Sequence, residues 1–143
     1  MYLSTNDLGD GVNAYLATKN RVKWTREHPR AYRSKAKARK ALVKAERDYK
    51  EAGNQLTTYL YLLATNLVKA YHMNMDKEDC VQELVLECLK KATFWDIRRG
   101  GAFNFFSTIS VNCLRQMRRK ENGRIKVTED YAVHLDELGA YGE

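Results

Sequence analysis

Residues 94–106 read FWDIRRGGAFNFF, and five of the thirteen are aromatic. Between Trp95 and Phe103 stand Asp96, Arg98, Arg99 and the Gly100-Gly101 pair, so rings and cations share one flexible corner. Side chains of these two kinds hold single-stranded nucleic acid: cations attract phosphates, and each base stacked on a ring contributes about 1–3 kcal/mol. Extruding one base from a duplex costs a few kcal/mol, which one or two ring contacts can offset. Core packing is expected to claim at least two of Phe94, Trp95, Phe103 and Phe106. The surplus sets Trp95 and Phe105 beside Arg98, Arg99, Arg115 and Arg119 as a candidate groove for an unpaired strand.

Bond-making chemistry is not expected. His28, His72 and His134 fall in three separate segments without metal-ligand or triad spacing, and no phosphate-cradling glycine loop is present. The adjacent acids Glu78 and Asp79 suit the start of a helix, where they complement its dipole, better than a catalytic pair. Cys80, Cys88 and Cys113 are odd in number, lack CxxC spacing and sit among apolar neighbours, which predicts reduced, buried thiols. No metal and no cofactor is expected.

The 143 residues fit one domain, and 44% apolar with 30% charged residues is a composition that folds. A single proline and eight glycines favour helices over a turn-rich β fold. The formal charge of +7 points to an acidic partner, with nucleic acid ahead of a membrane. Nothing resembles a signal peptide, and no run of about 18 apolar residues could span a bilayer, so an intracellular protein is expected. The charge is concentrated: residues 21–50 hold twelve Lys or Arg against Glu27, Glu46 and Asp48, a surplus of nine, and the rest of the chain sums to −2. A solvated charged helix and a surface that follows duplex phosphates are both open readings of this basic arm.

The elements that must position these groups read as an all-α fold. A short helix is predicted over residues 5–19, carrying Leu8, Val12, Tyr15 and Leu16 at helical spacing but interrupted by Gly9 and Gly11. A second is predicted over residues 34–52, with Ser34 as N-cap and Gly53 as its stop. Over residues 54–71, Leu56, Leu60, Leu63, Leu67 and Tyr71 recur at steps of three or four, the mark of a core-facing helix. Asp76 should cap the next helix, whose Val81, Leu84, Val85, Cys88 and Ala92 form one face and Asp79, Gln82, Glu83 and Leu86 the opposite one. An exposed leucine among acids and an amide suits docking onto a basic helical partner, with an ordinary solvent face as the alternative. The last long helix is expected over residues 103–121 and to end at Gly123. It sets Phe103, Phe106, Ser110, Cys113 and Met117 on one side and Phe105, Thr108, Asn112, Arg115 and Arg119 on the other. The division is then a basic extension over residues 1–53, a helical domain over 54–121 and an acidic tail over 122–143.

The segment DKEDCVQELVLECLKKATFWDIRRGGAFNFFSTISVNCLRQMRRK resembles region 2 of the sigma-70 family of bacterial transcription initiation factors. Asp79, Val81, Gln82 and Glu83 match its first block, Trp95, Asp96, Arg98, Arg99 and Gly100 its second, and Phe103 an aromatic position in its third. With the helix before it, the resemblance covers residues 54–121 and implies the compact bundle of that region. It further implies that Asp79, Gln82 and Glu83 dock on the clamp helices of the RNA polymerase β′ subunit, with Leu86 on the same stripe. Trp95, Arg98, Arg99 and Phe106 would fall near the pocket that captures the flipped adenine of the minus-ten element on the melted non-template strand. Phe103, Phe105, Asn112, Arg115 and Arg119 belong to the same DNA-facing set. Ile109 and Ser110 stand where many primary sigma factors carry tandem tryptophans.

About 22 residues follow Glu121, too few for the helix-turn-helix of region 4. This looks like the late-transcription sigma factors of tailed phages, which read a minus-ten-like element alone and contact a sliding-clamp coactivator through a short C-terminal epitope. The closing VHLDELGAY, with Leu135, Leu138 and Tyr141, is similar in character to such an epitope, a frayed terminus being the alternative. The resemblance implies a promoter-opening factor without enzymatic activity, working with host core RNA polymerase in the cytoplasm of an infected bacterium. The rival expectations are a regulator that occupies the clamp helices without reading DNA, and a general nucleic-acid-binding helical protein.

Overall fold

The computed structural model describes residues 5–71, 75–96, 98 and 100–140, the side chains of 5, 125 and 128–140 excepted. Among them are four α-helices, two 3-10 turns and no strand, so the fold is all-α as expected. Helix α1 spans Thr5–Glu27, two turns beyond its predicted end. Its last turns persist because Val22 and Thr25 are buried, and the Thr25 hydroxyl donates to the Arg21 carbonyl at 2.7 Å. Gly11 does not break it. A Cβ there would meet the Tyr59 ring at 3.0 Å, so the missing side chain is what lets α1 approach its neighbour closely.

A 3-10 turn at Pro29–Ala31 reverses the chain into α2, Lys35–Ala70, 36 residues and about 54 Å long at 1.5 Å per residue. Ser34 caps it as predicted, accepting from the Lys37 N–H at 3.2 Å. Gly53 is not a stop. A glycine ends a helix by turning left-handed, and among the described residues Gly100 alone has positive φ. One helical glycine costs only about 1 kcal/mol against alanine, which packing along the rest of α2 outweighs. The helix therefore runs unbroken across residue 53, and Leu8 and Val12 from the first segment join the core with Leu56 and Leu60.

Asp76 caps α3, Lys77–Lys91, its Oδ1 accepting from the N–H groups of Glu78 at 2.8 Å and Asp79 at 3.3 Å. Val81, Leu84, Val85, Cys88 and Ala92 are all buried, as their spacing predicts. After a 3-10 turn at Ala92–Phe94 the chain bends through the Gly100-Gly101 pair into α4, Ala102–Ala140. Gly123 does not end α4 either, for the same backbone reason. The core gathers around Leu60 and Leu63 of α2, Leu84 and Cys88 of α3, and Phe106 and Leu114 of α4. Where α3 crosses α4, the buried Cys88 Sγ lies 3.3 Å from the Ser110 Oγ.

The distal half of the α1–α2 hairpin adds nothing to that core cluster. It is held by a thin seam of Val22, Thr25 and Ala45. The Tyr15 and Tyr49 rings stack at 5.4 Å with their hydroxyls 3.2 Å apart, and Arg26 pairs with Glu46 at 2.9 Å.

Candidate nucleic-acid interface

The turn between α3 and α4 is built by local hydrogen bonds. Trp95 N–H donates to the Ala92 carbonyl at 3.2 Å, and Phe105 N–H to the Gly101 carbonyl at 3.1 Å. The Asp96 carboxylate accepts from the Arg98 N–H at 3.0 Å, a side chain mimicking a backbone turn. Gly100 sits at φ +135°, which an L side chain rarely adopts. The result is a cavity of about 310 Å³, lined by Trp95, Asp96, Gly100, Gly101, Asn104, Phe105, Thr108 and Ile109. That is the low end of the range of about 300–1,000 Å³ for small-molecule sites.

The lining combines apolar walls with a few polar groups. Phe105 meets Phe106 edge to face at 5.2 Å, which leaves Phe106 in the core and Phe105 on the cavity wall. Trp95 is 9% exposed, and its buried Nε1–H has no hydrogen-bond partner among the described residues. An unpartnered buried donor is costly, about 1–3 kcal/mol. Asn104 supplies both a donor and an acceptor, the pair that reads an adenine edge. Asn104 was not among the residues singled out from the sequence. Its place one residue before Phe105, in the first turn of α4, was the available signal.

Several predicted positions fall differently. Phe106 has no exposed surface and closes the core, so it offers no face to a base. Trp95 does both jobs, mostly buried yet lining the cavity. Phe94 at 72% and Phe103 at 36% exposure are outside the core, so Trp95 and Phe106 are the two rings that packing claims. Arg98 is exposed on the turn, and Arg99 lies outside the described residues. Asn112, Arg115 and Arg119 are exposed on α4 but are not among the residues that line the cavity with Trp95. They follow Phe105 by 7 to 14 residues, about 10 to 21 Å along the axis, and extend its face away from the cavity. Ser110 is buried against Cys88, whereas Ile109 lines the cavity.

The stripe on α3 is solvent-facing: Asp79, Gln82, Glu83 and Leu86 are all exposed, Leu86 by 54%. Tyr61 of α2 donates to the Glu78 carboxylate, 3.1 Å from each oxygen, and so fixes the start of α3. That bond to the carboxylate also raises the Tyr61 pKa. Asp79 and Glu83 share a cleft of about 260 Å³ with Met75, Met117, Lys120, Glu121 and Arg124. Their acidity is thus partly offset by Lys120 and Arg124 of α4, of which Arg124 lies beyond the expected helix end at Gly123. Leu135 and Leu138 fall within α4, but their side chains and Tyr141 lie outside the described residues.

Compared with protein-family models, curated proteins and solved structures, the chain matches none. No helix among the described residues is long and apolar enough to cross a membrane. Nor do three or more His, Cys, Asp or Glu converge among them in a way that could hold a metal ion.

Proposed function

We propose that this chain is a sigma-type transcription initiation factor of the phage late class, which joins host core RNA polymerase and holds an AT-rich, minus-ten-like element open. The observation that carries the reading is the cavity at the α3–α4 turn, where the Trp95 and Phe105 rings meet the polar side chains of Asn104 and Asp96. A base pulled from its pair would be walled by rings and edged by polar groups there, with Arg98 exposed beside it for a phosphate. TA steps unstack readily, which suits an AT-rich target. The protein supplies no bond chemistry; by binding the unpaired form it shifts the duplex toward opening.

On this reading the stripe of Gln82, Glu83 and Leu86, with Asp79 at its start, docks on the polymerase clamp helices. Leu135, Leu138 and Tyr141 form the coactivator epitope. The site of action is the cytoplasm of the bacterial host. The burial of Trp95 and Phe106 favours a second reading, a polymerase-binding regulator that does not read DNA, because it removes one ring outright and most of another from the inventory.

Transcription from a template bearing only a minus-ten-like sequence, with core polymerase, separates the two. Promoter-dependent RNA made only when the protein is present is the expected result. Polymerase binding without such RNA would establish the regulator instead.

A further inference from the structure

The basic arm has a face of its own. Lys37, Lys40, Lys44 and Arg47 follow one another at three- and four-residue steps along the side of α2 that points away from the α1 seam. They line one shallow surface with Ala41 and the 60%-exposed Val43. The row covers about 15 Å of a straight helix. At the hairpin tip, Trp24 stacks on His28 at 4.8 Å with Tyr32 edge-on at 6.5 Å, closing a turn that carries Arg30, Arg33 and Lys35. Among the described residues Arg26 is the one cation of residues 21–50 seen in an ion pair, and it uses Glu46. Asp48 and Glu51 lie one turn on from Lys44 and Arg47 and end the row.

We propose that the outward face of α2 over residues 37–47 is a sequence-independent binding surface for the phosphate backbone of double-stranded DNA. A rigid row of cations matches a rigid, evenly charged duplex, which carries one charge per about 1.7 Å of axis. Residues 21–50 contain no Asn or Gln, so the arm lacks the amides that read adenine edges, and cations that contact phosphates carry no sequence information directly. The apolar content of the face, Val43 and alanine, is too small to enter a bilayer. The choice of DNA over RNA rests on the promoter reading above. About 30 Å of helix separates Lys35 from Leu56, the first core residue of α2, so the arm can reach duplex outside the element being opened.

The test needs no polymerase, so its failure and the failure of the promoter reading are distinguishable. Fluorescence anisotropy would follow a labelled DNA duplex of random sequence across a salt series, for the wild type and for Lys40→Gln/Lys44→Gln/Arg47→Gln. Glutamine keeps helix propensity, and circular dichroism checks that the fold is retained. Four phosphate contacts predict a log–log salt slope of about −3.6 for the wild type, and the triple substitution should flatten it by about 2.7. An unchanged slope in the folded variant, or no binding by the wild type, overturns the proposal. So does tighter binding to an RNA duplex of equal length or to anionic vesicles.

Discussion

Phe105 and Phe106 are neighbours in sequence and about 100° apart around α4, and that rotation divides their work. Phe106 points into the core with Leu84 and Cys88, while Phe105 stays half-buried at the cavity wall. Trp95 lies between these extremes, its ring packed and its N–H without a partner among the described residues. The Cys88 thiol, buried against Ser110, shows how tightly the same crossing is sealed. Burial, only partly countered by the Ser110 hydrogen bond, pushes its pKa from 9.0 up to about 11. The neutral thiol is the form the fold favours, so its contribution to stability is complete below pH 9 and lost as pH rises through 11. Denaturant midpoints should therefore fall between pH 9 and 11, and fall less in Cys88→Ala. An identical fall in both proteins would mean that the thiol is not held in a sealed site.

Helix α3 carries two unlike faces, and its exposed one can be altered without touching the core. Glu83→Lys should weaken binding to core RNA polymerase by about tenfold or more, and Leu86→Ala should do so independently, with helicity unchanged. Co-sedimentation with core enzyme measures it, and wild-type binding by both variants would remove this face from the account. The buried face of α3 was legible in the sequence because five apolar residues at helical spacing leave one way to pack, and Ser34 and Asp76 announced both N-caps. Helix ends were not legible at Gly53 and Gly123. A glycine stops a helix only where the chain needs a left-handed residue, and here packing along the long α2 and the length of α4 set no such demand. The misreading at Gly123 also hid the place of Arg124 in the cleft that holds Asp79 and Glu83. In the candidate site, the aromatic and basic residue types were legible. Which rings are buried was not, because that depends on how the 95–101 turn sets α4 against α3.

Taken whole, the molecule separates three surfaces: an acidic and apolar stripe on α3, a ring-lined cavity at the α3–α4 turn, and a cationic row on the outer half of α2. Burial and charge argue for different partners at each, and the continuous α2 joins the arm to the core that holds the other two. The claim on which the proposed function stands is that the cavity holds a base out of its pair. Permanganate oxidation of thymines in an AT-rich element, with core polymerase present, measures this most directly, because it reports unstacked bases. Strong reactivity with the wild type, lost in Phe105→Ala and in Asn104→Ala while both still bind polymerase, is the predicted result. Equal reactivity in all three proteins would contradict it.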